Sequence, residues 1–203
     1  MAFTNFKSIE DVVEQYHIHY DKNSFISLKP IRKAPKILRE TIQFNIEETA
    51  YDISEAALCE SLIFPMLQAV WKVFKNDLFL WSHRSIQADE VLTGIPDYII
   101  AKRSALGRVL GIPLLTTVEA KKDNFDEGWA QCAAQMLALQ KLNQSVNKQY
   151  MVFGMVTNGE SWEIAHLKNN RLTKEVHIFT VSELDKLWTA LLFVLNECKQ
   201  QLS

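Results

Sequence analysis

The sequence predicts a mixed α/β domain in which one sheet is flanked by helices, and two observations support that class. Hydrophobic patterns along the chain follow the order helix, strands, helix, strands, helix. The 203 residues are 48% hydrophobic, which suits one domain whose core needs no disulfides. We therefore expect a single domain over residues 1–203, with residues 1–50 packed on it as an N-terminal helix and basic arm.

The first fifty residues predict a helix, an irregular arm and a strand. A short helix is expected over residues 8–20, because Ser8 can cap it and Asp11 follows three positions later. Residues 29–39 contain two prolines and five basic residues, which favours a loop that is either simply solvated or in contact with phosphates. Residues 41–46 alternate between apolar and polar side chains, as in a half-buried strand.

A long helix and several strands are predicted in the middle of the chain. Residues 55–74 carry leucines at helical spacing behind Ser54, a candidate N-cap. Pro65 is expected to kink this helix because it cannot donate a hydrogen bond to residue 61. A second long helix is expected over residues 125–142. The strands predicted between the two helices are residues 78–83, 86–92, 95–103 and 113–121.

Strands and one more helix complete the predicted fold. Asn158-Gly159 favours a two-residue hairpin turn, since both residues tolerate positive φ. The final helix is expected from Ser182 to about Lys199, with Ser182 and Asp185 in an arrangement like a capping box. The strands predicted in this part are residues 150–157, 160–167 and 175–180.

Composition excludes several classes of protein. With 22 basic and 24 acidic residues, the net charge of −2 argues against non-specific coating of nucleic acid, although a local basic groove remains compatible. The three cysteines are widely spaced and favour a reducing, cytoplasmic setting. No signal peptide or membrane-length apolar run is expected, and the motifs of nucleotide-driven motors and serine hydrolases are missing from the sequence.

Residues 113–121 break their own hydrophobic pattern. The run from Pro113 to Val118 is almost wholly apolar, as in a central strand, but it ends in Glu119 and Lys121. Side chains alternate along a strand, so Glu119 and Lys121 should project from one face and Ala120 from the other. Charged residues at the end of a central strand are typical of a functional site.

Asp97 begins another apolar run, 22 positions before Glu119. That spacing allows two neighbouring antiparallel strands, which would bring the two carboxylates together. Such carboxylates repel each other unless a cation lies between them, and Mg²⁺ favours oxygen ligands of this kind. Lys121 would then orient or deprotonate a water molecule. A salt bridge at a strand end is the plainer interpretation.

These residues resemble a known group. Pro96-Asp97, followed by Glu119-Ala120-Lys121, is similar to the motif of the PD-(D/E)xK nuclease superfamily, which includes many restriction and repair endonucleases. The resemblance implies a restriction-endonuclease-like mixed β-sheet flanked by helices on both faces. It also implies a Mg²⁺-dependent endonuclease that acts on DNA, with Mn²⁺ as a substitute cation. Asp97, Glu119 and the backbone carbonyl of Ala120 would bind the metal.

Further elements of the resemblance lie on the two long helices. In that superfamily a helix before the sheet often supplies another Glu, and Ser54-Glu55 opens such a helix here. A helix after the lysine often carries a QxxxY-like pair, and here Gln135 stands four positions after Gln131 in place of the Tyr. The order of elements over roughly residues 54–140 is similar to the N-terminal nuclease domain of type I restriction motor subunits.

The resemblance also implies roles for the remaining residues. Lys121 would position the attacking water or stabilise the scissile phosphate. Glu55 would hold a second metal ion or a water beside the metal, with Glu60 as the alternative on the same helix. Gln131 would orient Lys121 or contact the nucleic-acid backbone, unless it is a plain exposed helix residue. Independently of the resemblance, the sequence pattern predicts that His83 is an ordinary strand residue.

Two other classes of function stay open at this stage. One is a non-catalytic descendant of the nuclease fold that binds nucleic acid or a protein partner, which the modest charge favours. The other is an oligomerisation domain with the final helix as its interface, through Leu187, Leu191, Val194 and Leu195. A homodimer is compatible with cleavage of both strands of DNA, and the sequence leaves open whether DNA or RNA is the substrate.

Overall fold

The computed structural model describes residues 3–144 and 148–203 and forms a mixed α/β fold around one large sheet. The class predicted from the sequence is therefore confirmed. The helices are α1 (Ile9–Gln15), α2 (Lys36–Glu48), α3 (Glu55–Leu58), α4 (Phe64–Phe74), α5 (Phe125–Asn143) and α6 (Leu184–Gln200). The strands are β1 (His19–Asn23), β2 (Leu78–Ser82), β3 (Ile86–Gln87), β4 (Thr93–Gly94), β5 (Tyr98–Lys102), β6 (Leu114–Ala120), β7 (Val152–Thr157), β8 (Ser161–Lys168), β9 (Arg171–Glu175) and β10 (Phe179–Thr180).

The large sheet has eight strands, and β5 and β6 lie inside it. Its order is β1-β9-β8-β7-β6-β5-β2, with β10 also paired to β8. β6 runs parallel to β7 and antiparallel to β5. Strands β3 and β4 form a separate small hairpin. The apolar run that predicted a central strand is thus β6, every residue of which is buried.

Helices cover both faces of this sheet. Along β5, Tyr98 and Ile100 belong to the core shared with α4 and α6, whereas Ile99 and Ala101 belong to the core shared with α5. This alternation follows from the period of two along a strand. The polar residue Glu119 lies on the α5 side of β6, because it bonds to Gln135 of that helix.

Pro65 is accommodated by a widened turn between α3 and α4. Residues Cys59–Ile63 form one π-helical turn, in which the N–H of Phe64 donates to the carbonyl of Cys59. Pro65 has no N–H for the carbonyl of Ser61, and the side-chain amide of Asn45 donates to that oxygen instead, at 2.5 Å. The disturbance expected at Pro65 is therefore a π-helical turn that α2 stabilises.

Several predicted elements were wrong in type or extent. Residues 41–46 lie within α2 and not in a strand, because Leu38 and Ile42, one turn apart, face the core while Phe44 is exposed. The helix capped by Ser8 ends at Gln15, and β1 occupies part of the predicted helix and pairs with β9. The hairpin at Asn158-Gly159 is confirmed, since β7 and β8 pair across it.

Corrections also apply near the small hairpin and the C-terminal helix. Only Ile86–Gln87 of residues 86–92 is a strand, and the run at 175–180 is divided between the ends of β9 and β10. Ser182 does not cap α6, because the helix begins two residues later and the Ser182 hydroxyl bonds to Thr180. Asp185 instead accepts hydrogen bonds from the N–H of Ala34 and from Arg39.

Two apolar helical segments are part of the core. Glu55–Val73 is the one helical stretch among the described residues that is long and apolar enough to be a membrane-span candidate, and it packs against α2, α6 and β2. The apolar face of α6 is fully buried within the chain, so it is not available as the oligomer interface considered above. Its members are Leu187, Leu191, Val194 and Leu195.

Candidate active site

Two carboxylates meet where β5 begins and β6 ends. Asp97 directly precedes β5, and the antiparallel register that pairs Tyr98 with Val118 places Asp97 opposite Glu119. Oppositely placed residues on such strands carry their side chains on one face, with Cβ atoms ~5 Å apart. Asp97 Oδ2 accepts a hydrogen bond of 2.8 Å from the N–H of Ala120, which fixes Asp97 against β6. The structure therefore brings Asp97 beside Glu119.

Lys121 and Glu55 join this pair from two further positions. Lys121 Nζ lies 3.2 Å from Glu119 Oε1 and 3.8 Å from Glu55 Oε1. The backbone N–H of Lys121 donates to the carbonyl of Thr157, so the residue is held in line with β6. Glu55 stands in the first turn of α3, where the hydroxyl of Ser54 accepts a hydrogen bond from Ala57 and caps the helix. Four charged groups from two strands and a helix thus form an acidic cluster: Asp97, Glu119, Lys121 and Glu55.

Glu119 is the most deeply buried carboxylate of the acidic cluster, with 6% of the residue exposed. Its Oε2 accepts a hydrogen bond of 2.6 Å from Gln135 Nε2. Burial, reinforced by the negative charge of Asp97, raises the pKa of Glu119 to about 7, although Gln135 and Lys121 both act in the opposite direction. The charged form of Glu119 is therefore only partly compensated by the protein.

Asp97 and Lys121 show how the charges are balanced. Burial raises the pKa of Asp97, although the Ala120 N–H, His83 and Lys121 oppose the shift. Burial alone would lower the pKa of Lys121, but the carboxylates of Glu119 and Glu55 outweigh it and raise that pKa above its usual value. Lys121 is thus held as an ammonium ion, which donates hydrogen bonds and does not accept protons.

The two glutamines of α5 occupy different places. Gln131 is 3% exposed and donates a hydrogen bond of 3.3 Å to Glu127 Oε1, so it is not the plain exposed residue considered above. Gln135, one turn later, bonds to Glu119 and accepts a hydrogen bond of 2.5 Å from the hydroxyl of Thr117. The residue that contacts the acidic cluster is therefore Gln135. In the sequence, the feature that could have indicated this contact of Gln135 was the polar residue Thr117, which lies two positions before Glu119 on the same face of the strand.

His83 also lies at the site, although the sequence predicted it to be an ordinary strand residue. It follows β2 and adopts a φ of +49°, which is uncommon for a residue other than glycine. Its Nε2 lies 3.6 Å from Asp97 Oδ1, and its Nδ1 lies 2.8 Å from the hydroxyl of Ser82. The backbone N–H of His83 donates to the carbonyl of Asp97, so the two residues are joined through both backbone and side chain. The signal was its place at the end of β2, the antiparallel neighbour of β5.

Gly128 lets α5 approach the cluster closely. A Cβ at this position would lie 2.8 Å from Lys121 Cγ and 2.7 Å from Val156 Cγ1. Both distances are shorter than van der Waals contact, so any larger residue would displace Lys121 or the helix. The glycine therefore helps to position the ammonium group of Lys121.

The donors of this site suit a small, hard cation. Among residues 3–144 and 148–203, no group of three or more His, Cys, Asp or Glu side chains is arranged to hold a metal ion. Mg²⁺, however, is usually held by one or two carboxylates and keeps several waters. Burial raises the pKa of both Asp97 and Glu119, and the negative charge of Asp97 raises that of Glu119 further, so a cation between the two carboxylates would stabilise their charged forms.

The backbone carbonyl of Ala120 is a third oxygen on this side of β6. Ala120 turns its N–H towards Asp97, and the carbonyl of a strand residue points to the same side as its N–H. In the β5–β6 register the residue opposite Ala120 would be Pro96, which has no N–H to donate to that carbonyl. The proline beside Asp97 thus leaves an oxygen available, so the residues present fit a Mg²⁺ site.

Comparison of the chain with protein-family models and with curated proteins gives no match. The observations that bear on function are therefore the positions and charges of the acidic cluster and of the residues against it, Gln135 and His83.

Proposed function

We propose that this protein is a Mg²⁺-dependent phosphodiesterase, of endonuclease type and related to the PD-(D/E)xK superfamily, that hydrolyses DNA in the cytoplasm. The observation that carries the proposal is the meeting of Asp97 and Glu119 on neighbouring strands with Lys121 held 3.2 Å from Glu119. Asp97, Glu119 and the Ala120 carbonyl would hold Mg²⁺ or Mn²⁺. Glu55 would hold a second ion or a water beside the first.

Phosphodiester hydrolysis involves one bond formed, one bond broken and one proton moved. A water oxygen attacks phosphorus, the bond from phosphorus to the leaving oxygen breaks, and a proton from the water ends on that oxygen or in solvent. Mg²⁺ would offset the negative charge that develops on the phosphate oxygens. The protein itself must position the water and the phosphate and supply further positive charge.

Lys121 is the residue that supplies the further positive charge. Because Glu119 and Glu55 raise its pKa, Lys121 is a donor at neutral pH, so its role is to orient the water and stabilise the phosphate and not to remove a proton. Gln135 fixes the rotamer of Glu119, and Gly128 allows Lys121 its position. Gln131 would act only indirectly, because it donates a hydrogen bond to Glu127, beside the acidic cluster, and not to a member of the cluster.

A non-catalytic binding protein of the same fold is the second candidate. The observation that favours it is that Lys121 already pairs with two carboxylates of its own chain, so the cluster can exist without a substrate. The net charge of −2 also gives little general attraction for DNA. A partner protein or a second copy of the chain would then supply the nucleic-acid contacts.

A cleavage assay separates the two candidates. Labelled single-stranded, double-stranded and branched DNA, and a matched RNA, are incubated with the protein and Mg²⁺, Mn²⁺ or EDTA. We expect metal-dependent cleavage by the wild type, none by Asp97→Asn, and wild-type cleavage by the control Asp126→Asn, an exposed acid at the start of α5. No cleavage of any substrate by a wild type that still binds DNA would favour the binding protein instead.

A further inference from the structure

A cavity of ≈ 480 Å³ lies beside the acidic cluster, on the side of His83. This volume falls within the ~300–1,000 Å³ range of sites that bind small organic groups. A larger cavity of ≈ 590 Å³ is lined by residues of the N-terminal segment and Val91, and shares no residue with the acidic cluster. The lining of the smaller cavity includes Ala56, Glu60, Phe64, Ser82, His83 and Tyr98.

The widened turn before Pro65 helps to form one wall of this cavity. Glu60 lies on the π-helical turn Cys59–Ile63, with Ala56 and Phe64 on either side of it along the chain. The other wall comes from the end of β2 and the start of β5, which carry His83 and Tyr98.

The aromatic rings of the cavity suit a flat, unsaturated group. Phe64 and Tyr98 are nearly parallel, with an interplanar angle of 22° and ring centroids 6.2 Å apart. Tyr98 is only 2% exposed, so it supports the wall, and the rings that a ligand can reach are those of the half-buried Phe64 and the exposed His83. The ring of His83 packs edge-on to Tyr98 at 6.1 Å. Nucleobases bind to such surfaces because every base presents a π-face, whatever its sequence identity.

The charge of the cavity argues against a phosphate in this place. Glu60 is exposed and puts a carboxylate on the lining, which would repel a phosphate but accept a hydrogen bond from an amino group. Adenine, cytosine and guanine each carry an exocyclic amino group that can donate to a carboxylate, whereas thymine has none. The hydroxyl of Ser82 can serve either kind of base.

The cavity and the acidic cluster adjoin each other at His83. His83 lines the cavity and is also the residue whose Nε2 lies 3.6 Å from Asp97 Oδ1. A phosphate bound at Asp97, Glu119 and Lys121 would therefore have the cavity next to it, where the base of the same or the adjoining nucleotide can enter.

We propose that this cavity is a nucleobase-binding subsite that receives one unstacked base, one with an exocyclic amino group in preference to thymine, next to the phosphate of the substrate. The inference rests on the proposed function, and it narrows the substrate class. A base can enter only when it has left the stack, so single-stranded DNA, or DNA with an unpaired base, would be the substrate, ahead of intact duplex.

Nucleoside binding tests the subsite without any metal or cleavage. The isotope-labelled protein in EDTA is titrated with 2′-deoxycytidine, with thymidine and with 2-deoxyribose, and the amide signals are followed by NMR. We expect shifts at Phe64 and His83 with deoxycytidine, at least ~5-fold weaker binding of thymidine, and no binding of deoxyribose. Equal behaviour of the sugar and the nucleosides would overturn the proposal.

Two variants and a control make the result specific to the cavity. Ala56→Trp fills the space from an exposed helix position, so it should abolish deoxycytidine binding, whereas Val73→Trp, on the exposed face of α4, should leave it unchanged. Glu60→Gln should remove most of the preference for deoxycytidine over thymidine. Wild-type binding by Ala56→Trp, or an unchanged preference in Glu60→Gln, would overturn the assignment.

Cleavage of strands with and without one base is an independent test of the nucleobase subsite. If the wild type cleaves DNA, one abasic position beside the cut should slow it at least ~5-fold, and Ala56→Trp should be insensitive to the missing base. Equal rates on the intact and abasic strands in the wild type would overturn the subsite while the phosphodiesterase stands. If the wild type cleaves nothing but binds deoxycytidine through Ala56 and Glu60, the subsite stands and the phosphodiesterase fails.

Discussion

Two buried carboxylates of the same sheet have pKa values that are shifted in opposite directions. Glu119 at the end of β6 is 6% exposed and Glu175 at the end of β9 is 4% exposed. Burial raises the pKa of Glu119 to about 7, with Asp97 adding to the shift. Burial would also raise the pKa of Glu175, but hydrogen bonds from the N–H groups of Ile26 and Phe25 and from His177 outweigh it and lower that pKa.

The difference lies in what each carboxylate does for the chain. Glu175 accepts hydrogen bonds of 2.8 and 2.9 Å from Phe25 and Ile26, so it fastens the segment that follows β1. Glu119 faces a second carboxylate and has one amide and one ammonium as partners. Burial alone therefore does not identify a functional acid. The informative feature is a buried carboxylate that is left beside another negative charge.

The largest expected effect comes from Lys121. Lys121→Ala should lower metal-dependent cleavage at least ~100-fold, because it removes a preorganised donor worth ~3 kcal/mol in the transition state. Mn²⁺ affinity should stay the same or rise slightly, since a positive charge next to the cation is lost. Cleavage of a labelled strand and calorimetric titration with Mn²⁺ measure the two effects on one preparation.

Lys122→Ala is the matched control, because Lys122 is the exposed neighbour of Lys121. It should cleave like the wild type. Equal cleavage by Lys121→Ala and the wild type would show that Lys121 has no role in the mechanism.

The next effect in size concerns the two glutamines of α5, which should differ in their influence on metal binding. Gln135→Ala should weaken Mn²⁺ binding ~10–100-fold, because the group that orients Glu119 is lost, an effect usual for residues behind a metal ligand. Gln131→Ala, one turn away, should change it less than ~3-fold, since Gln131 bonds to Glu127 and not to a ligand. Calorimetry on both variants checks this order, and the reverse order would show that Gln131 is the residue that supports the site.

The last comparison concerns stability, to which Glu119 and Glu175 should contribute with opposite dependence on pH. The raised pKa of Glu119 means that the metal-free native state binds more protons than the unfolded chain, so stability should fall as pH rises from about 4.3 to about 7. The lowered pKa of Glu175 has the opposite consequence, a contribution that is complete at neutral pH and is lost as pH falls below about 4.3.

Urea unfolding in EDTA at pH 5 and pH 8 measures this contrast. Glu119→Gln should lack the loss of stability between these values, and it should be at least as stable as the wild type at pH 8. Glu175→Gln should be ~1–3 kcal/mol less stable than the wild type at both, because a buried acceptor of two backbone N–H groups is altered. Destabilisation of similar size by both variants at pH 8 would show that the two carboxylates serve the same structural purpose.

The sequence predicted the parts of this molecule that local pattern determines. The apolar run before Glu119 and the period of two between Glu119 and Lys121 are properties of one strand, and they located β6 and its polar end correctly. Glu55 could also be placed in the first turn of a helix, because Ser54 is a strong N-cap. Its approach to Lys121 depends on packing between α3 and the sheet.

The parts that failed depend on contacts between distant segments. Residues 41–46 alternate like a strand, but only tertiary packing shows that Leu38 and Ile42 form the buried side of a helix. His83 is 14 positions before Asp97, and only the pairing of β2 with β5 brings the two together. Gln135 was seen as part of a motif, whereas its bond to Glu119 follows from how α5 lies across β6.

The most direct test of the central claim is to locate a cation in the site. Crystals of the wild type and of Glu119→Gln are soaked in Mn²⁺, and anomalous difference density is computed at the manganese edge. We predict a peak in the wild type that lies ~2.1 Å from oxygens of both Asp97 and Glu119, and a much weaker peak in Glu119→Gln. No peak at this position in well-soaked wild-type crystals, or a peak that touches neither carboxylate, would contradict the account.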